Sequence, residues 1–318
     1  MNYAKLTNWV VKTGLSKTIT VEDSVLRKLV KEQHFFSGGS LRQFCQARKE
    51  ATLQAVGDCP VNRDEAVNLA YNFRGGTYGC REDRLRRHYI TDCHKEQDYQ
   101  DSRCWKLFVD SGYVLSKLGP MVDMDNLFNL YQYAKSVGAG FHSITYKQLF
   151  HNAVRGSIAK QQPVVVWSRE GSQYEKLEIQ AKVDCCGEDE ASCYRCLSTL
   201  KDDTYWYPDY QFFPFIDAVA TCEAFPIGSK RSEAIIAFIQ MTTRSEQKMK
   251  GERLSRLNEE MNKNQLLTDK PRAFVVVVPD ADVCENFQLQ DEPGLSTFPT
   301  LVGYFTRTTE VEHSLLEG

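Results

Sequence analysis

Two stretches decide the fold, Phe213–Thr221 (FPFIDAVAT) and Ala234–Thr243 (AIIAFIQMTT). Each is strand-sized and built mostly of β-branched, aromatic and small apolar residues, and Gly228-Ser229 lies between them as a turn signal. The pattern predicts strands over 212–221 and 234–242. A hairpin with its tip at Gly228-Ser229 makes opposed positions sum to 457, which sets Asp217 across from Gln240, with Thr242 on Gln240's face. A carboxylate among apolar neighbours needs a partner. Either Asp217 hydrogen-bonds a neighbouring amide, or Asp217, Gln240 and Thr242 together present oxygens to a hard cation such as Mg²⁺.

A divalent-metal nuclease normally uses two acids and a lysine. In this pair of strands Gln240 stands where the second acid belongs and Thr242 where the lysine belongs, with Lys248 and Lys250 following. Glu223 and Glu233 are the nearby acids. Glu223 shares Asp217's face on a regular strand but lies about 20 Å along it, too far to share one ion.

Working outward, 164–167 (VVVW) and 176–183 (KLEIQAKV) read as a further hairpin around Glu170-Gly171-Ser172, and 204–207 as a strand. A charged helix is predicted from Ser245 to about Asn264, then a strand over 273–279. Upstream, the 3.6 period marks three amphipathic helices between Trp105 and Ile158. They carry Val114, Leu115 and Leu118, then Leu127, Leu130, Tyr131 and Ala134, then Ile144, Leu149, Phe150 and Val154. Helices are also predicted over 21–56, the first with Val25, Leu26, Leu29 and Val30, the second with Leu41, Phe44 and Leu53 after a Ser37-Gly38-Gly39-Ser40 turn.

The cysteines Cys185, Cys186, Cys193 and Cys196 have two readings: a tetrahedral zinc site, for which Cys193 and Cys196 have knuckle spacing, or free thiols in a loop. Adjacent cysteines on an extended segment point to opposite faces, so Cys185 and Cys186 would share one zinc only from a turn. The polar stretch from Pro60 holds Arg81, Arg84, Arg86 and Arg87, either a solvated connector or a phosphate-contacting patch.

Composition bounds the function classes. The 318 residues carry 39 Lys and Arg against 42 Asp and Glu, a net −3, so there is no bulk electrostatic pull toward nucleic acid or an anionic membrane. No apolar run approaches the roughly 18 to 20 residues of a membrane span. The first thirty residues lack a signal-peptide core, and eleven cysteines without one favour thiols over a disulfide framework. No P-loop, G-x-G-x-x-G, H-E-x-x-H or G-x-S-x-G motif is present, so nucleotide hydrolysis is not expected.

The two decisive strands, the helix after them and 273–288 (AFVVVVPDADVCENFQ) resemble the C-terminal domain of the retrotransposon hot spot proteins of trypanosomes, and more distantly that of the Crinkler effectors. The segments DSGYVLSKL (110–118), NLFNLYQYAKSVG (126–138) and YKQLFHNAV (146–154) are similar to the same family's linker and first helix. The resemblance implies an α+β restriction-endonuclease-like, or PD-(D/E)XK, domain with an α-β-β-β-α-β core. It implies Asp217 as the metal-binding aspartate, Gln240 at the second acid and Thr242 at the lysine. His151 falls on the first helix near the place of an acidic ligand, and Lys147 stands where a glutamate is expected. It also implies a truncated member without the P-loop ATPase. The expected organisation is then a helical region at 1–58 resembling the ATPase lid, a basic connector at 59–104, the nuclease-fold domain at 105–290 with an inserted hairpin at 163–200, and a tail at 291–318. The implied protein is nuclear or perinuclear, with the cytoplasm second, and has a degenerate nuclease-like domain that binds DNA, RNA, chromatin or transcription proteins. It would not act at a membrane, and self-association or pairing with full-length members is implied. Whether it is an enzyme is left open: the alternatives are an active Mg²⁺-dependent DNA nuclease and a zinc-stabilised interaction module.

Overall fold

The computed structural model describes residues 23–37, 66, 87–90, 105–109, 111–136, 141–248, 251–290 and 299–305. The chain divides into two compact units, Met1–Leu149 and Phe150–Gly318. The division falls inside a long helix, so the expected 105–290 domain is shared between the units.

In the first unit, α1 (Asp23–Ser37) is followed by the antiparallel strands β1 (Arg87–Ile90) and β2 (Trp105–Phe108), then α2 (Gly112–Leu118), α3 (Met124–Ser136) and the start of α4 (His142–Lys160). The three predicted helices are present, and Val114, Leu115, Leu118, Leu127, Leu130, Tyr131 and Ala134 are buried as their spacing required. Residues 105–108, expected to open the helical stretch, are β2 instead, because the four residues Trp-Lys-Leu-Phe are too few to carry a helical period of their own. Ser111 caps α2: its hydroxyl accepts from the Val114 N–H at 3.3 Å and donates to the Phe35 carbonyl at 3.3 Å. A side chain at Gly112 would meet the Phe35 ring at 2.3 Å, so this close approach requires glycine. Phe35 and Phe36 pack on Tyr113, whereas Val25 and Leu29 at the start of α1 are exposed. The second helix expected before residue 56 lies outside the described residues.

The second unit runs β3 (Val164–Ser168), β4 (Tyr174–Ile179), β5 (Lys182–Cys186), α5 (Glu190–Ser198), β6 (Thr204–Pro208), β7 (Ala218–Pro226), β8 (Glu233–Met241), β9 (Glu246–Lys248), α6 (Gly251–Asn262), β10 (Arg272–Val278), α7 (Ala281–Asn286), β11 (Gln288–Gln290) and β12 (Thr300–Phe305). Among the described residues the main sheet has the order β4-β3-β12-β10-β8-β7-β6-β5. The protein is therefore of mixed α+β class. The nine-residue β7 pairs with β6 through Val219 and Ala220 and with β4 through its second half, Glu223 to Pro226. That second pairing closes β4, β3, β12, β10, β8 and β7 into a six-stranded barrel, with β6 and β5 extending from its side. Closure removes the free edges that an open sheet would leave.

Within the sheet, β6, β7 and β8 form an antiparallel meander, and α6 crosses over to β10, which lies parallel to β8. The expected α-β-β-β-α-β core was to begin with the helix of His151, but α4 is followed by β3, β4, β5 and α5 before this meander, and β9 stands between β8 and α6. The β7–β8 register is the expected one: every opposed pair, from Ala218↔Ile239 to Ala224↔Glu233, sums to 457. α5 and α6 pack Leu197, Leu254, Leu257 and Met261 with Trp206, Phe238 and Phe274 of the strands. Burying each such side chain contributes about 1.5–3 kcal/mol. Asn264, after α6, ties α5 to this core by donating to the carbonyls of Leu197 (3.3 Å) and Leu200 (2.7 Å).

Five expectations need correction. The stretch 176–183 is not one strand: it breaks at Gln180-Ala181, and β5 runs parallel to β6 instead of finishing a hairpin. The segment 163–200 is accordingly no single inserted hairpin, since β3 and β4 belong to the barrel and α5 packs on the core. β7 starts at Ala218 and not at 212, because Pro214 is followed by Phe215 in a left-handed conformation, φ +81°. The supposed tail at 291–318 contains β12, which sits between β10 and β3 with Leu301, Val302 and Phe305 buried. The charged helix begins only at Gly251, with β9 before it.

Candidate functional site

α4 brings His151 and Arg155 one turn apart on the same face. β6 sets Tyr205 and Tyr207 on one side of the sheet, and the intervening Trp206 turns to the opposite side against Phe213. These two alternations meet. His151 Nδ1 and the Tyr205 hydroxyl are 2.8 Å apart, and the imidazole stacks on the Tyr207 ring at 4.2 Å and 22°. Arg155 donates to the Tyr207 hydroxyl at 2.8 Å and to the Asn152 side-chain carbonyl. All three rings are buried, with 5% of His151, 0% of Tyr205 and 7% of Tyr207 exposed, so this is a constructed polar cluster and not a solvated face.

Arg155 and Asp217 act on the cluster with opposite sign. Burial, then the negative charge of Asp217, raises the Tyr205 pKa well above the ordinary tyrosine value, and Arg155 opposes that rise. Burial, then the nearby Cys185, pushes Tyr207 up to about 12, again opposed by Arg155. Both phenols stay neutral at physiological pH and remain hydrogen-bond donors.

Asp217 sits at the mouth of β7, immediately after the turn in which Phe215 stacks on Phe274 at 4.8 Å. Its N–H donates to the Ile239 carbonyl at 2.8 Å, and its Oδ2 accepts from the Met241 N–H at 2.7 Å. Of the two readings of this carboxylate, the bond to a neighbouring amide is thus formed. The β7–β8 register stops at Ala218↔Ile239, one residue short of Asp217 and Gln240, and the Cα partner of Gln240 on β10 is Val276. The Gln240 Oε1 is buried with no hydrogen-bond partner. Thr242 is buried, its N–H donates to the Val277 carbonyl at 3.0 Å, and its hydroxyl accepts from the Arg244 N–H at 3.2 Å. Glu233 accepts a short 2.5 Å hydrogen bond from Tyr174, and Glu223 is an exposed residue opposite Ala234.

The four cysteines do not come together as one set. Cys185 is exposed on β5, and it interacts with Tyr207. Cys186 lies with Cys196 of α5, Sγ to Sγ 2.9 Å, and Cys193 donates to the Gly187 carbonyl at 3.5 Å. Among the described residues no group of three or more His, Cys, Asp or Glu side chains is disposed to hold a metal ion. Arg81, Arg84, Arg86 and Lys250 lie outside the described residues, and Arg87 opens β1 opposite Phe108.

The sequence reading missed Tyr205, Tyr207 and Arg155. Their signal was present in two spacings, the Tyr-Trp-Tyr alternation at 205–207 and the four-residue interval from His151 to Arg155, but no local rule says that the two meet. Tyr205→Phe removes the 2.8 Å partner of a buried imidazole, and we expect it to cost about 1–2 kcal/mol of stability in urea denaturation. A loss below about 0.3 kcal/mol would show that this bond does not hold the cluster together.

Comparison with protein-family models, with curated proteins and with solved structures returns no match.

Proposed function

We propose that this chain is a retrotransposon hot spot-type protein, resident in the nucleus, whose second unit is a degenerate restriction-endonuclease-like domain acting by binding nucleic acid or chromatin and transcription partners. The antiparallel β6-β7-β8 meander, followed through β9 and α6 by a crossover to the parallel strand β10, supports the fold part of this reading. The observation that carries the loss of catalysis is the state of Asp217. Its Oδ2 is engaged by the Met241 amide, and the residue preceding Met241 on β8, where the second acid was expected, is a neutral glutamine. One carboxylate and one carboxamide make a weak donor set for Mg²⁺ beside the two acids that metal-assisted phosphodiester cleavage employs.

An active Mg²⁺-dependent nuclease is the second reading, favoured by one feature, the buried and unpartnered Oε1 of Gln240, which a cation would satisfy. Both readings are tested on the full chain with a fluorescent DNA duplex and its RNA counterpart at 50 and 200 mM salt, with supercoiled plasmid and Mg²⁺ in parallel. Degenerate binding predicts an affinity that falls at least about tenfold between the two salts, with the plasmid intact. Mg²⁺-dependent nicking that disappears in Asp217→Asn would establish the nuclease instead. Absence of binding to either nucleic acid would remove the nucleic-acid part and leave protein partners.

A further inference from the structure

We infer that Cys186 and Cys196 form an oxidation site, two thiols set to close a reversible disulfide between the edge strand β5 and helix α5. Their sulfurs are 2.9 Å apart and not bonded. A disulfide needs roughly 2.05 Å, so the closing movement is less than about 1 Å and is within reach of side-chain rotation. Both are half-buried, open enough for a small oxidant, and they come from two elements, β5 and α5, each with its own anchoring. The Asp189 carboxylate caps α5 by accepting from the Ser192 N–H at 2.7 Å, with the Ser192 hydroxyl accepting in return from the Asp189 N–H. β5 is held by its parallel pairing with β6, in which Cys186 faces Pro208.

The neighbouring thiols are excluded by position. Cys193 is fully buried and bonded to the Gly187 carbonyl. Gly187 has φ +95°, and any Cβ there would stand 2.6 Å from the Cys193 sulfur, so this corner is packed tight. Cys185 precedes Cys186 on the strand and so projects to the other side.

The chemistry balances with hydrogen peroxide as oxidant. The Cys196 sulfur attacks one peroxide oxygen; an S–O bond forms, the O–O bond breaks, and the departing hydroxide takes the thiol proton as water. The Cys186 sulfur then attacks the sulfenic sulfur; the S–S bond forms, the S–O bond breaks, and the second water leaves. Cys186 is the resolving thiol: its S–H donates to the Cys196 sulfur, which leaves the Cys196 sulfur the acceptor that meets the peroxide first, and burial followed by that bond raises the Cys186 pKa. The product ties down the strand whose other side carries Cys185 against Tyr207, so oxidation stiffens one wall of the His151 cluster.

The test treats the full reduced chain with hydrogen peroxide, blocks remaining thiols with iodoacetamide and digests with trypsin, which cuts after Lys182, Arg195 and Lys201. The expected product is peptide 183–195 joined to peptide 196–201, lighter by two hydrogens than the separate pair. Fragmentation on both sides, between Cys185 and Cys186 and between Cys186 and Cys193, should place the bond on Cys186. The oxidised chain should melt higher by about 5 °C, reversibly with dithiothreitol, and the rise should be absent in Cys196→Ser. Carbamidomethylation of both Cys186 and Cys196 after peroxide, or a bond from Cys196 to Cys185 or Cys193, would overturn the assignment.

Discussion

Truncation after Gln290 is expected to abolish cooperative unfolding of the second unit. β12 is the strand that joins β10, parallel from Phe274↔Thr300 to Val278↔Tyr304, to β3, antiparallel from Gly303↔Ser168 to Phe305↔Val166. Without it two ladders lose their partners, and Phe305 no longer packs edge-on against Phe150. Leu301, Val302 and Phe305 contribute about 1.5–3 kcal/mol each by burial, and the lost pairing adds to that. The sum approaches the whole of a typical domain stability of about 5–15 kcal/mol. A gentler probe of the same closure is Gly303→Val: a Cβ at Gly303 would come within 2.8 Å of the Trp167 carbonyl oxygen and 2.7 Å of Val166. We expect a loss of about 3 kcal/mol, because backbone must move to make room. Circular dichroism during urea titration reads both. A truncated chain with a sharp transition within about 2 kcal/mol of the full one would mean that β12 is dispensable and the barrel is not a unit.

Asp217→Ala is expected to destabilise the chain by about 2–3 kcal/mol whether or not Mg²⁺ is present, since it strands the Met241 N–H that Oδ2 now accepts from. Asp217→Asn keeps an acceptor of the same reach and should recover most of that loss. A metal-ligand role predicts the opposite pattern: Mg²⁺ would stabilise the wild type with a dependence on its concentration, and both variants would abolish that gain equally. Urea titrations at zero and 10 mM Mg²⁺ separate the two. The wild type gaining more than about 1 kcal/mol from the ion, with that gain absent in both variants, would show that Asp217 binds it.

Residues 213–243 illustrate how far local information reaches. The hairpin, its tip and the 457 register follow from an alternation of apolar residues and one glycine turn, because a strand pair is governed by neighbours close along the chain. The three helices of residues 112–160 were legible for the same reason, through Val114, Leu127, Phe150 and their helical repeats. Asp217 was correctly singled out as a carboxylate in need of a partner. Which partner it takes depends on how the end of β8 lies beside it, and no spacing encodes that. In the cysteine stretch, the conflict between adjacent thiols was visible, but the pairing of Cys186 with Cys196 needed α5, whose polar capping box and short length hid it in an apparent loop.

By itself, then, the sequence determined the elements and the pairings formed by near neighbours: the α+β class, the β7–β8 register and the amphipathic helices. Each rests on a repeat of 2 or about 3.6 residues or on a turn residue, acting over a few positions. Only the tertiary structure decided that β12 completes a six-stranded barrel and that His151 and Arg155 meet Tyr205 and Tyr207. Those contacts join residues about fifty to well over a hundred positions apart. They arise because a curved sheet with unpaired edges and a helix with a buried polar face each require a partner, and the rest of the fold selects which segment supplies it.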